Sequence, residues 1–276
     1  MGNFDGTRQK GVSFADILIE APVDGDKTRL WAVLTNPAAV TELSSVGTVR
    51  DYLMPLPRAL GTICAYAGTT DTAGWAATEY AGDNLDYTYH NLTSTFTKDA
   101  LGALTTSGSA LLSAAEGRGY ALTDTGCALP YRLAEVGTPY HPQSNPIREI
   151  SFRFATANTV TFRYDGERGE YLREQCGAPH TDPLTGEALS YQNVLLLFHN
   201  VKYYHTPSDT SFSLDTASGG EGYAYTGGGV VRVRWAYDES GTLSITDETG
   251  APLTLNRGKT YIGMLRVTDS ATVVAK

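Results

Sequence analysis

The stretch SFADILIEAPVDGDKTRLWAVL, Ser13 to Leu34, carries the first elements from which the fold is read. Ser13 stands three residues before Asp16, a spacing that caps a short helical turn. ILIEA, Ile17 to Ala21, then reads as a strand, and DGDK is turn chemistry. TRLWAVL resumes as a second strand. Alternation puts Arg29, Trp31 and Val33 on one face of it. Glu20 follows an apolar run, and a carboxylate drawn out of water there needs a partner. Arg29 can supply it, closing the strand turn as an ion pair. Arg50, in SVGTVRDYL (residues 45–53), is the other choice, with Asp51 beside it as an internal counter-charge. The opposing reading is a polar pocket at strand ends. There Arg29 and Arg50 bind an anion and Glu20 or Asp24 orients it.

Downstream, PLPRALG predicts a short helix with Pro55 near its first position, and TICAYAG a buried strand containing Cys64. TDTAGWAATEY, residues 70–80, predicts a helix capped by Thr70 or Asp71. TTSGSALLSAAEGRGY predicts the clearest helix: Ser107 as cap, Ala110, Leu111, Ala114 and Ala115 as the buried stripe, Gly119 as stop. Residues 135–146 hold three prolines and read as a long loop or linker. Beyond it the hydrophobic period becomes two. REISFRFAT, TVTFRYD and EYLREQ alternate apolar with polar or charged residues, and YDGERGEY turns between two of them. NVLLLFHNVKYY reads as a buried strand. GGGVVRVRWAYDESGTLSI begins a meander with Val231, Val233 and Trp235 opposite Arg232 and Arg234.

The 276 residues are 41% hydrophobic and 18% charged, the balance of a folded chain, and carry a net charge of −9. That charge opposes general nucleic-acid binding. Of 21 basic residues six are lysines and fifteen arginines, which favours fixed ion pairs and bidentate anion contacts. Cys64, Cys127 and Cys176 lack zinc spacing and are expected as three buried thiols. No metal or cofactor is called for. GGEGYAYTGGG does not open a helix and reads as a β-loop, not a phosphate cradle. No G-x-S-x-G, Walker loop or H-E-x-x-H is present. PHTD puts His180 two residues before Asp182, a fragment of a metal site or, more simply, a solvated turn.

QKGVSFADILIEAPVDGDKTRLWAVL, VGTVRDYL, YAGTTDTAGW and FRYDGERGEYLREQCGAPHTDPLTGEALSYQNVLLLF, in that order, resemble the motifs of the YerB-like bacterial lipoproteins. The closing GGEGYAYTGGGVVRVRW and DETGAPLTLNRGKTYIGML do so too. Glu20, Asp24, Arg29, Arg50 and His180 stand at matching positions. Gly102 and Ala103 stand where the family has His and Asn, and the second arginine after V-R is absent. The resemblance implies a mixed α/β amino-terminal domain, 1–146, followed by a β-rich carboxy-terminal domain, 147–276, an α+β chain overall. It implies an extracytoplasmic place, with membrane attachment only through an amino-terminal lipid anchor that lies outside this sequence. MGNF matches a point inside the family pattern, so a first strand is expected to be missing. The family supplies no reaction. The expectation is therefore an envelope binding module with Glu20, Asp24, Arg29, Arg50 and His180 as ligand candidates. Its ligand is an anionic wall component or a partner protein. The alternatives are a cell-wall or polyprenyl-phosphate enzyme, with arginines clamping phosphate and a carboxylate as base, and a scaffold without ligand.

Overall fold

A computed structural model describes residues 1–3, 9–70, 74, 82–123, 129–205 and 210–276. The helix expected at residues 70–80 and Cys127 thus fall almost wholly outside the described residues. Strands dominate, helices are few, and the sheets mix parallel and antiparallel pairs.

The strands that position the site are β1 (Gly2–Asn3), β2 (Ile17–Pro22), β3 (Thr28–Val33), β4 (Leu43–Val46) and β5 (Cys64–Tyr66) in the first half. The second half gives β6 (Glu149–Ala155), β7 (Asn158–Asp165), β8 (Glu170–Gln175) and β9 (Asn193–His199). It continues with β10 (Gly220–Thr226), β11 (Gly229–Tyr237), β12 (Leu243–Asp247) and β13 (Thr260–Arg266). An eight-stranded sheet runs β1-β3-β2-β13-β9-β10-β11-β12. Its middle joins both halves of the chain: β2 lies parallel to β13, Ile17 opposite Thr260, and β13 parallel to β9. Residues 135–146 are largely irregular, as expected, yet the strands before and after them share this one sheet.

Both faces of the sheet are covered. On one, β6, β7 and β8 form a second sheet, and Phe152, Phe162 and Tyr171 pack against Leu18, Leu196 and Tyr261. On the other, Tyr52, Leu56, Cys64 and Tyr66 pack against Ile19, Leu197 and Trp235. Double coverage is why ILIEAP is buried at all six positions: a strand between two cores has no solvent side to mark with polar residues.

The helix α1 (Pro55–Leu60) starts with proline at its first turn and ends at left-handed Gly61. The helix α2 (Gly108–Gly117) is capped by Ser107, whose hydroxyl accepts from the Ala110 amide at 3.2 Å. Of its expected buried stripe only Ala115 is fully covered; Ala110, Leu111 and Ala114 are half-exposed. EYLREQ inverts the expected alternation. Tyr171, Arg173 and Gln175 point inward and Leu172 outward, because β8 places that parity toward the facing sheet. Cys64 is buried as expected, whereas Cys176 is exposed in a left-handed turn.

Candidate functional site

Arg29 and Glu20 sit on paired strands but leave the sheet on opposite sides. The register sets Glu20 across from Leu30 and Ala21 across from Arg29, so a single residue step separates the faces. The expected Glu20–Arg29 pair is therefore excluded by parity.

Glu20 is fully buried between the two sheets, and its partner is Arg173 on β8, at 2.7 Å. The same carboxylate oxygen accepts from the Tyr261 hydroxyl at 2.7 Å, and the other from Asn3 Nδ2 at 2.8 Å and from Thr28 Oγ1. Gln175 closes the network: its Oε1 accepts from Arg173 and Asn3. Burial and the neighbouring Glu20 push the Tyr261 phenol well above its usual range. This carboxylate is saturated and has no path to solvent.

His180 is also on that side. It is buried, not on a solvated turn, and its amide donates to the Arg173 carbonyl at 3.0 Å. Its neighbour Asp182 is fully buried. Asp182 accepts from the Gly11 amide at 3.0 Å, the Ser13 amide at 2.8 Å and the Ser13 hydroxyl at 2.7 Å. Two stretches that carried the family resemblance, around Gly11 and around His180, thus meet as one clamp. Gly11 is required there: its φ is +81°, and a Cβ would stand 2.4 Å from the Glu42 carbonyl. Among the described residues no group of three His, Cys, Asp or Glu could hold a metal.

The opposite face is covered over much of the sheet but open beside β3. A cleft of about 740 Å³ separates β3 from β5 and α2. Trp31 and Val33 of β3, Leu111, Leu112 and Ala115 of α2, and Phe96 are among the residues that line it. Arg29 is the only cationic side chain among its described lining residues. The Arg29 guanidinium lies on Gly47, where an added Cβ would stand 2.8 Å from Nη1. Its Nη2 donates to Thr48 Oγ1 at 3.0 Å, and its Nε is buried with no acceptor. Among the described residues it has no ion-pair partner. Burial, and then the charge of Arg50, lower its pKa.

Arg50 flanks this end but does not line the cleft. It precedes a short 3₁₀ turn, Asp51–Leu53, and pairs with Asp24, not with adjacent Asp51. Asp24 sits in the β2–β3 turn and is more than half exposed, so the pair is a surface contact. Of the five predicted residues, three gather near the cleft and two lie behind the sheet. Asp16 is the one carboxylate among the described lining residues, and its Oδ2 accepts from the Thr35 amide and hydroxyl at 2.8 and 2.7 Å. Sequence reasoning missed Thr48 and Gly47, which carry no chemical signal of their own. It also missed Arg173, because nothing in EYLREQ marks its polar parity as the one that faces a second sheet.

Two family descriptions match the chain: "Protein of unknown function (DUF3048) N-terminal domain" over residues 3–121, and the corresponding C-terminal domain over residues 150–262. A Bacillus subtilis (strain 168) protein named "Putative lipoprotein YerB" is 26% identical over 269 residues, covering 96% of this chain and 79% of that protein. The crystal structure of the YerB protein from Bacillus subtilis superimposes with a TM-score of 0.82 at 23% identity, over 100% of this chain and 92% of that one. That likeness shows a shared fold. No helix among the described residues is long and apolar enough to cross a membrane.

Proposed function

We infer the function from one premise: the chain belongs to the DUF3048 family, whose two domains it carries in order. It is an extracytoplasmic cell-envelope binding protein that receives an anionic ligand in the cleft between β3 and α2. The name of the Bacillus subtilis relative supports the lipoprotein setting. The observation that carries the binding role is Arg29, a partly buried guanidinium with no carboxylate partner among the described residues, in the lining of a cleft of ligand size. A buried cation without a counter-charge is costly, and a bound anion would supply one. Arg50 adds positive potential at the same end, while Asp24 offsets part of it. Among the described lining residues the one carboxylate, Asp16, has its Oδ2 engaged by Thr35, and the sequence carries no catalytic motif, which favours binding over catalysis.

Calorimetric titration of inorganic phosphate and of short wall fragments bearing carboxylate or phosphate tests this reading. The wild type should bind at least one of them saturably, and Arg29→Leu should bind it at least tenfold more weakly. Equal affinity in the two proteins, or no saturable binding of any anion, rejects it.

A further inference from the structure

We propose that the occupant of the cleft is a single-chain amphiphile, its apolar chain lying between β3 and α2 and its phosphate or carboxylate head at Arg29. This rests on the reading of the cleft as a binding site and adds what the occupant must look like.

The lining sorts by chemistry. The long walls are apolar side chains left half-exposed: Trp31 and Val33 on one side, Leu111 and Leu112 on the other. Tyr66 and Phe96, both buried, complete the surface. Apolar side chains facing each other across an open gap mark a place for an apolar partner. Positive side-chain charge, by contrast, is confined to Arg29 among the described lining residues, and the Asp16 carboxylate is turned to Thr35. Thr48 holds one guanidinium nitrogen and Gly47 lets the plane lie flat, so Arg29 is positioned by its surroundings. An inorganic anion would satisfy Arg29 and leave the walls wet. A neutral hydrocarbon would fill the walls and leave the guanidinium without a counter-charge. Only a molecule with both parts answers both features.

Size narrows the class. The cleft, about 740 Å³ and open on one side, falls in the range of sites that take a single small ligand. That accommodates one long chain with its head.

The test titrates full-length protein with alkyl phosphates from butyl to decyl, all below micelle formation, and with methyl phosphate, decanol and inorganic phosphate. Each methylene should tighten binding about fourfold. Decyl phosphate should bind at least tenfold more tightly than either methyl phosphate or decanol. Arg29→Leu should lose at least tenfold for decyl phosphate while holding decanol as well as the wild type does. An affinity independent of chain length, with methyl phosphate as tight as decyl phosphate, overturns the amphiphile and leaves the anion site standing. Decanol binding as tightly as decyl phosphate removes the head site. If no probe binds, inorganic phosphate included, both readings fall, which is also the result if another segment of the chain already fills the cleft.

Discussion

Glu20 and Arg29 are neighbours across a strand pair and opposites in every other respect. Glu20 faces the space between two sheets, where Arg173, Tyr261, Asn3 and Thr28 use its lone pairs. Arg29 faces the cleft, where Thr48 is its only side-chain hydrogen-bond partner among the described residues. A charge that is buried and completed belongs to the architecture: it fixes how the sheets meet. A charge held in place and left incomplete is available for a ligand. The difference comes from one step of strand parity, which no composition or motif encodes.

The largest test of that contrast is removal of the completed charge. Glu20→Ala strands Arg173 in the core and should destabilise the fold by about 3–5 kcal/mol in urea denaturation. The double variant Glu20→Leu, Arg173→Met should recover most of the loss, because an apolar pair needs no counter-charge. Failure to recover would mean that the network does more than balance charge. Asp182→Ala belongs with it. Four donors, the Leu184 amide among them, lose their acceptor, and a loss of about 3 kcal/mol or more is expected.

Acid sensitivity should arise on the cleft side instead. His199 stacks on Trp235 with ring centroids 4.2 Å apart, and burial pulls its pKa down to about 4. Above pH ~6.5 the imidazole is neutral folded and unfolded and contributes no pH dependence. Below that the unfolded chain takes a proton that the native chain refuses, so stability falls until pH ~4, by about 3 kcal/mol in all. His199→Phe should flatten the stability profile across that window. An unchanged profile would place the acid sensitivity elsewhere.

Smaller effects sharpen the picture at the cleft. Ser107→Ala removes the cap of α2 and should cost about 1 kcal/mol in thermal denaturation. Because α2 is a wall of the cleft, affinity for an alkyl phosphate should weaken in parallel. Arg50→Ala should change stability by less than ~1 kcal/mol, as exposed ion pairs do, while lowering affinity for the anion. A larger loss would make the Arg50–Asp24 pair structural.

Local elements were legible where side chain and backbone speak to each other directly. Pro55 and Gly61 bound α1, Ser107 caps α2, and Val231, Val233 and Trp235 share a face as their spacing demands. Arg29 at a pocket was legible as one of two readings. The partner of Glu20 was not, because Arg173 lies 153 residues away and meets it only when two sheets stack. The alternation of EYLREQ misled for the same reason. A polar parity ordinarily marks the solvent side, but here the facing sheet supplies the partners and Leu172 is the exposed residue. His180 looked solvated in a turn rich in polar residues, yet the clamp of Asp182 on the Gly11–Ser13 segment draws it inside. The cleft itself has no linear signature: its walls come from β3, β5 and α2, and only packing brings them together.

The claim at the centre is that Arg29 serves a ligand and not the fold. It is tested most directly by thermal unfolding of Arg29→Leu beside the wild type, with and without saturating decyl phosphate. Without ligand the variant should melt at the wild-type temperature or above it, since a partly buried cation with no ion-pair partner among the described residues has been removed. With ligand the wild type should gain stability and the variant should not. An unliganded variant that melts as far below wild type as Glu20→Ala does would contradict the account and make Arg29 a structural residue after all.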